Sequence, residues 1–164
     1  MSAIFLKKFT ASPLVLFGTP PLGMPPEMDK AFLPNAAMPF LFQQKLSDSE
    51  IILLAEAMTN NENIEKLKKE IKLTDGNARS FLATSVGKGL FKNEINLVEN
   101  LSVPIAILHG KADSFINLQY INQLTIPTLW KNKIQLINNT CHCPQLENSA
   151  VFNGMITDFY NSIF

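Results

Sequence analysis

The sequence has 164 residues, of which 46% are hydrophobic and 17% are charged. This composition can bury the core of one globular domain and is not typical of a disordered chain. Lys and Arg together number 14, as do Asp and Glu, and a net charge of zero gives no general attraction for nucleic acid or for anionic lipid. We therefore expect a single domain, residues 1–164, that binds neither nucleic acid nor membrane.

The sequence also has no signal for export or for membrane insertion. The longest uninterrupted apolar run, residues 51–55, is far shorter than the roughly 20 residues that cross a bilayer. Only residues 3–6 form an apolar stretch near the start, and they precede Lys7 and Lys8 instead of following them, which is not the order of a secretory signal. Two cysteines, Cys141 and Cys143, make no disulfide framework. We predict a cytoplasmic protein.

Three short apolar segments with β-branched residues predict buried strands, at residues 13–17, 103–108 and 133–137. Turn residues follow each segment, and nothing between them has the pattern of a hairpin. Strands that are separated by helices pair in parallel through crossovers. The sequence therefore predicts the α/β class with about three parallel strands.

Helices are predicted mainly between the first two strands. Ser47 and Glu50 have the spacing of a capping box at the start of the first of them. A second helix begins at Asn61 or Asn63, and further helical patterns cover residues 78–86, 92–99, 115–124 and 151–164. The proline-rich residues 20–39 are predicted to be irregular.

Two side chains that could carry chemistry follow neighbouring predicted strands. Asp113 comes after the second strand and His142 after the third. Because parallel strands lie about 4.8 Å apart, loops at the same sheet edge can bring the two within hydrogen-bonding distance. The carboxylate would then fix the imidazole tautomer. The alternatives are that Asp113 only forms a turn and that His142 is an ordinary polar loop residue.

The order of these motifs resembles the carboxyl-terminal part of an α/β-hydrolase. A strand, His-Gly-x-x-Asp, a short helix, a strand, His-x-Pro-x-x-Glu and a final helix follow one another. The resemblance implies that Asp113 is the acid and His142 the base of a catalytic triad, with Pro144 and Glu147 in the usual places after the histidine. It also implies that residues 14–21 follow the nucleophile elbow and that residues 39–100 form a helical cap.

The sequence departs from that family at the nucleophile. No Gly-x-Ser-x-Gly elbow is present; Ser2 and Ser12 precede any predicted strand, and Ser85 lies in the predicted cap. The resemblance implies hydrolysis of an ester or similar acyl bond, but we expect the isolated chain to be weak or inactive. Three interpretations remain open: a truncated hydrolase, one half of a split hydrolase, and a non-catalytic interaction module.

A partner is expected at the first strand, since in the resembled fold it would lack one neighbour. The open edge at residues 13–17 predicts a homodimer or a complementing chain. A small apolar acyl compound is the expected substrate if an N-terminal half completes the fold. We predict no cofactor.

Other chemistry at the same loop stays open as an alternative. Cys141, His142 and Cys143, with His109, could bind a metal such as zinc, although neighbouring residues on one loop rarely converge on one ion. Cys141 could also be a nucleophile beside His142. The predicted cap is rich in Phe and Met, including Phe81, which indicates either core packing or an apolar lid over an acyl pocket. We predict no metal.

Overall fold

A computed structural model describes residues 12–163, apart from the side chain of Asn61. Predictions that concern Ser2, residues 3–8 and Phe164 lie outside the described residues. Within them the strands are β1 (Leu14–Phe17), β2 (Ile105–Gly110) and β3 (Gln135–Ile137). The α-helices of this part of the chain are α1 (Met28–Ala31), α2 (Asp48–Met58), α3 (Ile64–Leu73), α4 (Gly76–Gly87), α5 (Glu94–Asn100), α6 (Leu118–Asn122), α7 (Pro144–Glu147) and α8 (Ser149–Asn161). Turns of 3₁₀ helix lie at Met38–Phe42, Asn61–Asn63 and Trp130–Asn132.

The three strands form one parallel sheet in the order β1-β2-β3. In the register of the sheet, Leu14 pairs with Ile105, and Leu108 pairs with Gln135. Strand β2 is therefore central, and β1 pairs on one side only within the described residues. The prediction of an α/β fold with three parallel strands is confirmed.

The strand boundaries differ from the predicted ones, most of all in β2. This strand was predicted at residues 103–108 but begins at Ile105 and continues to Gly110, since His109 and Gly110 still pair with β3. The apolar run ends before the backbone pairing does, because pairing depends on the neighbouring strand. Strands β1 and β3 begin one and two residues later than predicted.

Successive residues of β2 face opposite sides of the sheet, as the alternation of a strand requires, and they contribute to three hydrophobic clusters. Ile105 and Ile107 belong to the larger core, which also holds the buried residues of α2, α3 and α5. On the opposite face, Ala106 packs with Trp130 and Phe159, while Leu108 packs with Ile137 and Phe152. Helices thus cover both faces of the sheet. We call residues 39–100 the helical insertion.

Helix α2 begins as the sequence predicted. The Ser47 hydroxyl accepts the backbone N–H of Glu50, and the Glu50 carboxylate accepts the backbone N–H of Ser47 at 2.7 Å, which is a complete capping box. Helix α3 starts at Ile64 after the 3₁₀ turn, and α4, α5 and α8 each lie within three residues of their predicted ranges. The irregular stretch 20–39 contains only the short helix α1 and the start of a 3₁₀ turn.

Helix α6 is shorter than predicted, because local side chains take over the backbone N–H groups before it. The predicted range was 115–124, whereas the helix spans Leu118–Asn122. The N–H groups of Phe115 and Ile116 donate to the Asp113 carboxylate, and Asn117 caps the helix by accepting the N–H of Gln119.

The Phe and Met residues of the predicted cap differ in their burial. Helix α4 has no buried residue, and its Phe81 is 72% exposed, so core packing is wrong for this phenylalanine. Phe32, Met38, Phe40, Met58 and Phe91 do pack against the larger core. Among the described residues, no helix is both long enough and apolar enough to span a membrane.

Candidate functional site

The candidate site lies at the carboxyl edge of the sheet, where the segments that follow the three strands meet. Gly18 follows β1, Asp113 follows β2, and His142 follows β3. A Cβ atom added to Gly18 would lie 3.7 Å from Cε1 of His142, and the His142 ring is hydrogen-bonded to Asp113. The parallel topology therefore brings together residues that are far apart in sequence.

The carboxylate of Asp113 and the imidazole of His142 form a direct pair. Nδ1 of His142 lies 3.0 Å from Oδ2 of Asp113, and the two side chains are 11% and 2% exposed. The other carboxylate oxygen, Oδ1, accepts the backbone N–H groups of Phe115 and Ile116 at 2.8 and 3.1 Å. Both oxygens of Asp113 are therefore engaged, and the carboxylate is fixed in position.

These contacts also set the charge of Asp113. Burial raises its pKa, but the hydrogen bond to His142, the charge of that imidazole and the two backbone N–H groups together lower the pKa below its ordinary value. Asp113 is thus an ionised acceptor at neutral pH. An ionised carboxylate on Nδ1 favours the tautomer that carries the proton there and leaves Nε2 able to accept one.

A tight backbone contact sets the distance between the loops that hold Asp113 and His142. A Cβ atom added to Gly110 would lie 1.8 Å from the carbonyl oxygen of Cys141, so only glycine fits at this position. The N–H of Ala112 donates to the carbonyl of Thr140 at 2.9 Å. The buried Thr140 hydroxyl in turn donates to the carbonyl of Ile137 at 2.9 Å.

The far side of the His142 ring is free of hydrogen bonds from within residues 12–163. Its Nε2 atom lies 3.8 Å from where a Cβ atom of Gly18 would be, in a turn with a positive φ of 63°. The ring of Phe115 packs against the imidazole, with 5.0 Å between the ring centroids. The imidazole is thus held at Nδ1, and its Nε2 atom has no hydrogen-bond partner among the described residues, as a general base requires.

The helical insertion contacts the same loop through its helix α2. The backbone N–H of His142 donates to the carbonyl of Met58 at 3.1 Å. The Glu147 carboxylate accepts the hydroxyl of Thr59 at 3.0 Å, the N–H of Asn60 at 2.6 Å and the N–H of Cys141. Sequence reasoning noted Glu147 only by its place after the histidine and missed these contacts, because Glu147 and Thr59 are 88 positions apart.

A second link to the insertion lies beside Asp113. The Ser114 hydroxyl donates to the carbonyl of Ala57 at 3.0 Å, and the Asn35 side chain donates to the same hydroxyl at 3.0 Å. Sequence reasoning also missed Ser114. Its hydroxyl is directed to helix α2 and not to the imidazole.

The surroundings of the two thiols oppose the cysteine alternatives. Burial, and then the nearby Glu147 carboxylate, raise the pKa of the Cys141 thiol, which opposes a thiolate nucleophile. Burial raises the pKa of the Cys143 thiol to about 12. In the part of the chain that is described, no group of three or more His, Cys, Asp and Glu side chains is arranged to hold a metal ion.

His109 is buried at the end of β2 near the acid–base pair. Burial lowers its pKa, against the opposing effect of the Asp113 charge. His109 is thus a neutral side chain at neutral pH, and its ring is not hydrogen-bonded to His142.

Comparison with known proteins gives structural matches only. Neither a family model nor a curated protein matches the sequence. The N-acyl homoserine lactonase AidH complexed with N-butanoyl homoserine is 26% identical, with a TM-score of 0.83 over 90% of this chain and 54% of the lactonase chain. An esterase from Rhodococcus sp. is 19% identical, with a TM-score of 0.66 over 93% and 57% of the two chains.

A third match covers similar shares of the two chains. The meta-cleavage product hydrolase of Pseudomonas fluorescens is 15% identical, with a TM-score of 0.66 over 93% of this chain and 57% of the hydrolase. This chain therefore spans about half the length of each of these three structures. The parallel sheet with helices on both faces is thus the α/β-hydrolase fold, over the part of these structures that the chain covers.

Proposed function

We propose that Asp113 and His142 are the acid and the base of an acyl-ester hydrolase, and that the serine nucleophile comes from polypeptide outside these 164 residues. The observation that carries this proposal is the 3.0 Å contact between Oδ2 of Asp113 and Nδ1 of His142, together with an Nε2 atom that no described side chain engages. A pair held for structural reasons alone has no need of a free Nε2.

The chemistry follows from that arrangement. Nε2 of His142 removes the proton of a serine hydroxyl as its oxygen attacks the acyl carbon, and it then donates this proton to the departing alcohol. Water repeats the step and releases the acid. Asp113 keeps the imidazole in the required tautomer and stabilises the imidazolium that forms. Each step uses the one Nε2 atom that lies beside the turn after β1.

The open side of β1 supports a nucleophile supplied by another segment. Leu14 directs its N–H toward β2, where it donates to Pro104 at 3.0 Å. Backbone direction alternates along a strand, so Val15 and Phe17 direct their N–H and C=O groups to the open side. Beside this edge lies an apolar groove of about 210 Å³, lined mainly by Leu14, Leu16, Leu97 and other apolar residues. These features favour a further strand and helix packed here.

A mutant of the AidH lactonase forms a complex with N-hexanoyl homoserine lactone, and a lactone is a cyclic ester. Together with the esterase match, this supports esters or lactones with an apolar acyl chain as the substrate class of the completed protein. The experiment therefore uses both kinds of substrate.

The test is complementation. This chain is mixed with a polypeptide that contains the part of the AidH lactonase that it does not cover, and hydrolysis of p-nitrophenyl butyrate and of N-hexanoyl homoserine lactone is measured. We expect neither polypeptide alone to be active and the mixture to be active. The His142→Asn variant should abolish this activity, and the Glu99→Gln variant should retain it.

Labelling with a fluorophosphonate, followed by intact-mass analysis, identifies the chain that carries the nucleophile. An adduct only on the complementing polypeptide supports the proposal. An adduct on this chain alone, still present in a Cys141→Ser, Cys143→Ser variant, would show that it has a nucleophile of its own and would overturn the proposal.

The second candidate function is a non-catalytic interaction module, which the open edge of β1 also favours. It predicts an assembly, either a homodimer or a complex with another chain, that neither hydrolyses esters nor reacts with the fluorophosphonate. Analytical ultracentrifugation of the same mixtures distinguishes an inactive complex from a failure to assemble.

A further inference from the structure

A single carboxylate joins the helical insertion to the loop that carries His142. Glu147 lies at the end of α7, and its two oxygens accept hydrogen bonds from two separate parts of the chain. Oε1 accepts from the Thr59 hydroxyl at 3.0 Å and from the Asn60 N–H at 2.6 Å, both just after α2. Oε2 accepts the N–H of Cys141, the residue before His142.

We propose that Glu147 is a positioning residue that makes the orientation of the His142 imidazole depend on the position of helix α2. This inference rests on the proposed function, in which His142 is the base, and it extends it to the insertion. Its basis is geometric, because one carboxylate bridges three donors on both sides of the junction.

A second hydrogen bond makes the junction cooperative. The N–H of His142 donates to the carbonyl of Met58 at 3.1 Å, so the residues before and at the base are both held by the end of α2. Thr59 is 4% exposed, and a buried hydroxyl that loses its acceptor carries a desolvation cost. Movement of α2 away from the sheet edge therefore breaks the contacts of Glu147 and of His142 together.

Helix α2 can transmit such a movement because it is firmly packed. Ile51, Leu54 and Ala55 are buried in the larger core, so we expect the helix to move as a unit with these residues. A ligand that displaces α2 would therefore change the position of the imidazole, while Asp113 stays fixed by Phe115 and Ile116. The insertion thus controls whether the base is aligned with its acid.

The test uses four variants of the full chain. Glu147→Gln keeps the size of the side chain but replaces one acceptor oxygen with a donor. Thr59→Val removes one of the two hydrogen bonds that Glu147 accepts from the insertion and leaves the bond from Cys141 in place, and Thr59→Ser restores the hydroxyl. Glu99→Gln is the matched control, because Glu99 accepts a backbone N–H from Thr125 at 3.3 Å, away from the site.

The main readout is the ¹⁵N NMR signature of the His142 ring, which reports the tautomer and which a general loss of packing does not set. We expect a single tautomer with the proton on Nδ1 in the parent chain, in Thr59→Ser and in Glu99→Gln. In Glu147→Gln and in Thr59→Val, the population of this tautomer should fall, and hydrogen exchange at the His142 amide should accelerate about tenfold or more. Exchange at the Phe115 amide should be unchanged.

The outcomes separate this inference from the proposed function. If the parent chain lacks the Nδ1-protonated tautomer, the proposed function fails. If the parent has it and Glu147→Gln and Thr59→Val, both folded, keep it with unchanged exchange at His142, the coupling is wrong and the acid–base pair stands.

Alkylation of Cys141 in a Cys143→Ser background checks where the carboxylate lies. Glu147 raises the pKa of the Cys141 thiol, so Glu147→Gln should accelerate alkylation at neutral pH, whereas Thr59→Val should change it little. An unchanged alkylation rate in Glu147→Gln would contradict the placement of Glu147 beside this loop.

Discussion

Helix α2 has 11 residues and helix α4 has 12, and each begins with a side-chain N-cap, Ser47 or Asp75. Helix α2 buries Ile51, Leu54 and Ala55, whereas α4 buries none of its residues. The end of α2 also holds the loop that carries His142. The difference shows that capping determines where a helix begins. Packing against the core determines whether a shift of the helix changes the position of other parts of the molecule.

The largest expected difference between the two helices comes from truncating an apolar side chain. Leu54 in α2 is 2% exposed and Leu82 in α4 is 53% exposed. Leu54→Ala should lower the free energy of unfolding by about 3 kcal/mol, because it leaves a cavity, and Leu82→Ala by less than about 1 kcal/mol. Urea unfolding measures both. Equal costs would show that α4 is packed more tightly than its exposure indicates.

The next effect concerns the sheet edge to which α2 is joined. Asp113→Asn should cost about 2 kcal/mol at pH 7, since it removes a charged hydrogen-bond acceptor. The pKa of Asp113 is lower in the folded chain than its ordinary 3.8. Its contribution is therefore fully present above that value and is lost as the pH falls through the lower folded pKa.

Unfolding at a series of pH values, with the parent chain and with Asp113→Asn, measures this contribution. The stability difference between the two should shrink on acidification. Amide exchange at the end of α2 should respond to the variant, and exchange in α4 should not. A difference that is constant down to acid pH would mean that Asp113 is not ionised in the folded chain.

Removing either N-cap should have a smaller effect, of about 1 kcal/mol. The loss should destabilise the whole fold when the cap of α2 is removed, but only the helix itself when the cap of α4 is removed. Ser47→Ala breaks the capping box of α2 and should lower the global free energy of unfolding, because α2 is part of the core. Asp75→Ala should mainly increase hydrogen exchange within α4. If Asp75→Ala lowers the midpoint of urea unfolding as much as Ser47→Ala, the two helices unfold together.

The smallest expected effect is a gain. A Cβ atom added to Gly87, the last residue of α4, would contact nothing within 4 Å. Gly87→Ala should stabilise the helix by up to about 0.5 kcal/mol, because alanine loses less backbone entropy. Slower amide exchange in the last turn of α4, with an unchanged midpoint of urea unfolding, is the result that fits a loosely packed helix.

Local chemistry made most of the elements predictable from the sequence. The Ser47 and Glu50 spacing located the start of α2, and apolar runs located all three strands to within a few residues. Ends that depend on tertiary partners were not predictable. Strand β2 continues to Gly110 because β3 pairs with it, and α6 starts late because the Asp113 carboxylate takes two backbone N–H groups.

The candidate site divides in the same way. Asp113 and His142 were named from their places after two strands, since topology brings such positions to one edge. The bridge from Glu147 to Thr59 joins residues 88 positions apart, and no spacing in the sequence indicates it. The exposure of Phe81 was likewise unpredictable, because an aromatic side chain on a helix has the same appearance in a core and on a surface.

The pairing of β1 with β2 has a consequence for how the chain is made. Leu14 pairs with Ile105, so the ribosome must add about 90 residues after β1 before its partner exists, and closing so long a loop is slow. Helices α2 and α3 are made earlier and contact each other closely. During synthesis, both edges of the apolar strand β1 therefore remain unpaired until β2 has been made. This makes β1 the segment most exposed to chaperones and to premature association with other nascent chains.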